Sequence, residues 1–300
     1  ASAITATPFK TVYLTKKRTA SERANNPTYR EAMRSPQAAQ WLEAIRKEYQ
    51  GLFDNGVWRW VEREAGDHLL RTVLVLKRKF HTDGSHDRYK GRICVDGSSQ
   101  RPGEFSEAVS AAARITTVHM LCSAAAEDGS DVTSGDFHMA YTHARQPFRQ
   151  RLHTPVGLKA PRPGMCIAVD KALYGDRGLT RGAAGLWHEC LDRGLLDYGF
   201  RRSAGDPCLY VHDATGICLL AYVDDTLIKS PATPAGRAAL ADLVAYLQSR
   251  YRYTDKGAAD EFTGIRITRP DAHTIALSMD TYADSVIDRH NQADAHPVSK

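Results

Sequence analysis

The chain has 300 residues, 42% hydrophobic and 25% charged, with 40 basic against 35 acidic residues and a formal charge of +5. This is ordinary globular composition, long enough for a substantial core in one large or two smaller domains, and mild basicity that fits a polyanionic partner without demanding one. The six cysteines form no C-x-x-C pair and no apolar run nears the ~20 residues that span a bilayer, so neither a zinc or disulfide framework nor a membrane partner is expected. No signal peptide is visible and the first residue is not Met, from which we expect an intracellular piece of something longer.

Residues 1–28 are polar and aperiodic, with a cluster at Lys16-Lys17-Arg18, and read as a tether. From about Pro36 to Leu52, the residues Trp41, Ala44, Ile45, Tyr49 and Leu52 recur at helical spacing until Asn55-Gly56 stops them. That helix is scaffold and is assigned no chemistry. Val73 to Phe80 and Arg88 to Val95 read as strands on either side of His81 to Ser85, where Asp83-Gly84 is a hairpin turn signal. A two-residue turn there sets Lys79 opposite Arg88 and Lys77 opposite Lys90, and alternation adds Arg92 to the same face. Like charges facing each other across a hairpin destabilise it. Such a row either has an anion to hold, for instance a triphosphate, or is a solvated edge whose lysines block aggregation.

Residues 113–126 form a helix with Ile115, Val118, Cys122 and Ala125 on one stripe. Asp131 to Asp136 then reads as a short strand followed by a helical turn. Asp136 is either a metal ligand or an N-cap. A helix over Leu186–Leu196, a strand at Cys208–Val211, a linker at Pro231 and Pro234 and a helix carrying Leu240, Leu243, Val244, Leu247 and Tyr251 come next. Strands at Phe262–Ile267 and Ile275–Leu277 and a helix near Tyr282–Ile287 close the chain. Within this order Leu219 to Ile228 stands out, because Asp224-Asp225 lies between two apolar runs, the pattern of a strand, a tight turn and a returning strand. The pair is either a polar turn or a cation site, since carboxylates at the end of a buried hairpin are costly unless neutralised. Mg²⁺ normally takes one or two carboxylates together with substrate phosphates.

Taken together, these segments resemble the reverse transcriptase domain of copia-type LTR retrotransposon Pol polyproteins, from about Tyr29 to Ile287. Tyr222-Val223-Asp224-Asp225 is similar to the family's Y-x-D-D box and Arg88-Tyr89-Lys90-Gly91-Arg92 to its R-Y-K-A-R-L. Asp136 to Tyr141 resembles D-V-x-x-A-F, Lys171 to Gly175 resembles K-x-L-Y-G, and Phe262 to Ile265 resembles F-L-G-I. Trp41 to Ile45 and Asn55 to Trp58 fit as well, and the boxes come in the family's order.

The resemblance implies an α+β fold, the fingers and palm of a right-hand polymerase, over residues 29–300. The basic fingers hairpin would occupy about 70–97 and an antiparallel palm sheet backed by helices about 128–290, with thumb and RNase H absent. It implies that Asp136, Asp224 and Asp225 hold two Mg²⁺ ions for nucleotidyl transfer from a dNTP to a primer 3′-hydroxyl. Lys77, Lys79, Lys90 and Arg92 would clamp the triphosphate, and Tyr141 would exclude a ribose 2′-hydroxyl. Partners would be an RNA/DNA template-primer and the remaining polyprotein parts (thumb, RNase H, integrase), in a cytoplasmic virus-like particle with nuclear access. Departures are a longer Tyr174 to Trp187 segment lacking the family's Gln and Pro, a Pro-less Val109 to Ala112, and Asp255-Lys256-Gly257 in place of D-L-G. The competing expectations are a degenerate, catalytically impaired copy that binds nucleic acid, and another palm-type two-metal enzyme.

Overall fold

The computed structural model describes residues 20–80, 85–101, 112–177 and 182–290. Three helices come first, α1 (Ala20–Asn25), α2 (Tyr29–Arg34) and α3 (Ala38–Asp54), so part of the polar stretch at 1–28 is helical. α2 starts with a capping box between Thr28 and Glu31, and α3 buries Trp41, Ile45, Tyr49 and Leu52 along its predicted stripe. Strands β1 (Trp58–Glu62), β2 (Leu69–Leu70), β3 (Thr72–Phe80) and β4 (His86–Val95) follow. β3 and β4 form a two-stranded antiparallel hairpin that pairs Lys77 with Lys90, Lys79 with Arg88 and Val75 with Arg92. The alternation argued above therefore holds, while the turn at Asp83-Gly84 lies outside the described residues. One face of this hairpin buries Leu76 and Ile93 in a core shared with α3, β1 and Val169; the other keeps Val73 and Val75 exposed beside the cations.

The rest of the described chain runs α4 (Ile115–Asp128), β5 (Asp131–Phe137), β6 (Arg145–Leu152), β7 (Met165–Lys171), α5 (Gly182–Tyr198), β8 (Arg201–Arg202) and β9 (Leu209–His212). It continues with β10 (Ile217–Tyr222), β11 (Asp225–Ser230), α6 (Pro234–Arg250), β12 (Tyr253–Ala258), β13 (Glu261–Phe262), β14 (Ile265–Asp271), β15 (Thr274–Ser278) and α7 (Asp280–His290). A six-stranded sheet in the order β12-β5-β11-β10-β9-β8 is the centre of this part. Alternate residues of β10 and β11 serve two cores. Leu219, Ala221 and Ile228 pack with Trp187, Leu243 and Leu247 of α5 and α6, whereas Leu220 and Leu227 pack with Val118, Leu121, Phe262 and Ile265. Covering both faces makes both apolar runs around Asp224-Asp225 interior. Among the described residues the architecture is a mixed arrangement of helices and several sheets, antiparallel apart from the β2–β6 pair.

Some local expectations change. Pro234 is the first residue of α6, with Thr233 as its N-cap, rather than part of a linker, because a proline at that position forfeits no intrahelical bond. Ile115 of the α4 stripe is exposed, while Leu121 takes up core space. β1, β6 and β12 were not expected at all; their runs are too charged or too mixed for alternation to reveal them.

One glycine ties the two parts together. After β7 the chain passes the end of β4, where the Val95 N–H donates to the Tyr174 carbonyl at 2.6 Å. Gly175 has φ +84°, and a Cβ there would sit 2.1 Å from the Val95 carbonyl oxygen. Gly175→Ala is therefore expected to destabilise the chain by about 3 kcal/mol or more, read as a lower urea midpoint. A midpoint unchanged from wild type would show that this crossing relaxes freely.

Candidate active site

Val223 and Asp224 are the two turn residues between β10 and β11, and Tyr222 pairs with Asp225 across the turn. Val223 has φ +54°, a left-handed conformation that a β-branched residue adopts only when its surroundings impose it. Two hydrogen bonds do so here. The Trp187 indole N–H donates to the Val223 carbonyl at 2.6 Å, and the Phe137 amide donates to the Asp224 carbonyl at 2.7 Å. Trp187 is itself fixed by edge-on packing against Phe137 and Tyr251. The strained turn is thus clamped from α5 on one side and from the end of β5 on the other.

The second clamp brings the carboxylates together. Asp136 on β5 is the direct cross-strand partner of Asp225 on β11, so two residues 89 positions apart in the sequence sit side by side, with Asp224 beside them. Burial pushes the Asp224 carboxyl above the usual carboxylate range, Asp225 and Asp136 add to the shift, and Arg92 opposes it. Crowded anions of this kind are stable as a group only with cations among them. Asp136 neither caps a helix nor stands alone, so the N-cap reading is set aside.

A cavity of about 210 Å³ lies between the aspartates and the basic hairpin, lined among others by Arg88, Lys90, Arg92, Asp136 and Asp224. Arg92 stacks over the Tyr174 ring with its guanidinium carbon 4.3 Å from the centroid, and Tyr174 in turn lies 4.4 Å from Tyr141. Burial and the neighbouring cations Arg92, Lys79 and Arg88 pull the Lys90 ammonium below its ordinary value; Lys79 is lowered in the same way by burial, Lys77, Arg88 and Arg92. Cations that crowd one another at a cavity wall are relieved by an anion in the cavity.

Of the expected site residues, Asp136, Asp224, Lys90 and Arg92 line this cavity directly. Asp225 adjoins them through Asp136, and Tyr141 stands behind Tyr174. Lys77 and Lys79 share the cationic face of the hairpin without lining the cavity. Besides Arg88, which lines the cavity from the cationic face of the hairpin, four further residues stand at the site. Glu48, on the helix read as scaffold, lines the cavity and accepts the Ile93 amide at 3.2 Å. Tyr174 and Trp187 act as just described, and Lys256 lies 3.1 Å from Asp225 and 3.8 Å from Asp136. A larger recess of about 450 Å³ shares no lining residue with this one, and its acids Glu64 and Asp67 are already paired with Arg149.

The donor set suits a hard divalent ion, because Asp136 and Asp224 offer oxygen ligands to one cavity. Among the described residues, however, no three His, Cys, Asp or Glu side chains converge on a single ion position, and the cation nearest Asp136 and Asp225 is that of Lys256.

Paired carboxylates thus face a cationic hairpin across one cavity. The sequence profile of the reverse transcriptase (RNA-dependent DNA polymerase) family matches residues 55–300, and the chain belongs to that family. It is 28% identical over 276 residues to the retrovirus-related Pol polyprotein from transposon TNT 1-94 of Nicotiana tabacum, an alignment covering 90% of this chain and 20% of that protein. It is 26% identical to the corresponding polyproteins from transposons RE2 and RE1 of Arabidopsis thaliana, covering 93% and 90% of this chain and 19% and 18% of theirs. The resemblance to copia-type Pol polyproteins is borne out. The chain spans about a fifth of the length of these curated relatives. No helix among the described residues is long and apolar enough to cross a membrane.

Proposed function

We propose that the chain is the RNA-directed DNA polymerase domain of a copia-type retrotransposon, transferring a nucleotide from a dNTP to a primer 3′-hydroxyl. The observation that carries this reading is the single cavity lined by Arg88, Lys90 and Arg92 on one wall and Asp136 and Asp224 on the other. On this reading the β3–β4 hairpin belongs to the fingers and the six-stranded sheet to the palm. Asp136, Asp224 and Asp225 would hold the Mg²⁺ ions, which when bound supply charge neutralisation at the attacking and leaving oxygens. Arg92, oriented by its stack on Tyr174, would grip the triphosphate through its planar donors, with Lys90 beside it and Lys77 and Lys79 extending the positive field. Catalysis by such a site consists chiefly of positioning and charge stabilisation. Template sequence is read by base pairing, so the protein requires only salt-dependent backbone contacts with the template-primer. Thumb, RNase H and integrase functions would come from other parts of the polyprotein, inside a cytoplasmic particle.

Tyr141 would act as the sugar gate through the Tyr141–Tyr174 ring pair, since a ring packed against C2′ leaves no room for a hydroxyl. Tyr141→Ala is expected to raise ribonucleotide use in primer extension by about a hundredfold relative to deoxynucleotide use, the discrimination typical of an added or lost steric contact. Unchanged discrimination would assign the gate elsewhere. The same assay on RNA and DNA templates tests the reaction, with extension on RNA expected and extension confined to DNA against it. The Lys256 ion pairs favour a second reading, an impaired copy that binds primer–template without extending it. Salt-sensitive binding without extension would support that reading.

A further inference from the structure

The strand that carries Lys256 is irregular where the lysine stands. β12 pairs Thr254 with Asp136 and Asp255 with Gly135, then skips Lys256 and resumes with Gly257 opposite Ser134. Lys256 is the extra residue of a β-bulge, a device that re-aims a side chain and recurs beside active sites. Gly257 supports the bulge at φ +77°, and its N–H donates to Asp255 Oδ1 at 2.9 Å. An unbroken ladder would set Lys256 opposite Ser134, two residues from Asp136 on the same strand; at the bulge it stands between the Asp255–Gly135 and Gly257–Ser134 pairs. Its ammonium reaches Asp225 Oδ1 at 3.1 Å and Asp136 Oδ1 at 3.8 Å, bridging two strands that already pair these acids side by side. His138 Nδ1 lies 3.9 Å from the other Asp136 oxygen. Most surface ion pairs contribute little, but this one joins carboxylates from two strands that would otherwise repel each other.

We propose that Lys256 is a built-in counter-cation of the Asp136–Asp225 pair, holding the two carboxylates together before a divalent ion arrives and competing with that ion for them. The inference rests on reading these acids as metal ligands, and it adds a residue that sets how much metal the site demands. Entry of the ion requires Lys256 to swing away, and at 46% side-chain exposure it has solvent to move into.

Mn²⁺ binding to the full chain without nucleotide, followed by electron paramagnetic resonance of the free ion, tests this. Lys256→Leu is expected to bind Mn²⁺ about tenfold more tightly than wild type, the scale of removing one competing charge near a protein surface. Lys256→Arg, which keeps the charge, should stay closer to wild type. In an Asp225→Asn background the leucine should give much less of this gain, because the two residues act as a pair. Without metal, Lys256→Leu should melt at a lower temperature than wild type, and saturating Mn²⁺ should remove that deficit. Equal Mn²⁺ affinity in wild type and Lys256→Leu, with weaker binding in Asp224→Asn, would overturn the proposal and leave the metal site standing. No Mn²⁺ binding by either wild type or Lys256→Leu would overturn both.

Discussion

Asp224→Asn is expected to abolish Mg²⁺-dependent primer extension, by about a thousandfold or more, while leaving the chain folded. Metal-assisted charge stabilisation is worth several kcal/mol, and about 1.4 kcal/mol corresponds to tenfold in rate. The same substitution should stabilise the metal-free protein. Burial and the neighbouring Asp225 and Asp136 raise the folded-state pKa of Asp224. Between its unfolded and folded values the native chain keeps a proton that the unfolded chain has released, so stability falls as pH rises through that window. Asn carries no charge and removes this slope. Thermal unfolding at neutral pH and below, without metal, should show the variant melting above wild type at the higher pH and the gap closing as pH falls. A variant that melts lower throughout would mean that Asp224 supports the fold through contacts other than its charge.

Trp187→Ala is expected to have the largest effect on stability, about 3–5 kcal/mol, as for other large aromatics removed from a core. Trp187 is 2% exposed and packs against Phe137 and Tyr251. It also donates the 2.6 Å hydrogen bond that helps hold Val223 at φ +54°. Backbone strain of this kind costs on the order of 1–3 kcal/mol and persists only while neighbours enforce it. Trp187→Phe separates the two roles by keeping a ring and losing the donor. It should retain most of the stability, read from urea unfolding, while extension drops as the turn relaxes and Asp224 leaves its position. Extension by Trp187→Phe at the wild-type level would show that packing alone carries the effect.

What could be read from the sequence and what could not divide along physical lines. Alternation sets the faces of β3 and β4, and a two-residue turn at Asp83-Gly84 gives the register that pairs Lys77 with Lys90 and Lys79 with Arg88. Helical spacing found α3 from Trp41 to Leu52, and the apolar runs on either side of Asp224-Asp225 found β10 and β11. The pairing of Asp136 with Asp225 is long-range; a carboxylate at a strand end marks Asp136 as a candidate ligand, and the resemblance to reverse transcriptases joins it to Asp224 and Asp225. Glu48 was passed over because one polar residue on an amphipathic helix looks like any other until the partner strand β4 is in place. Lys256 stands at a bulge, and a bulge leaves no periodic signal. Asp255-Lys256-Gly257 in place of D-L-G marked the position without giving its direction. β12 itself went unseen because its run, Tyr253 to Ala258, is charged and mostly exposed.

The most direct test of a template-reading, metal-dependent polymerase site at Asp136, Asp224 and Asp225 is extension of a DNA primer annealed to RNA, with Mg²⁺ and three of the four dNTPs. The account predicts products that stop one nucleotide short of the first template base calling for the omitted dNTP, and no products when Mg²⁺ is chelated. Products whose length ignores the omitted nucleotide, or no products from a folded chain that binds the primer–template, would contradict it.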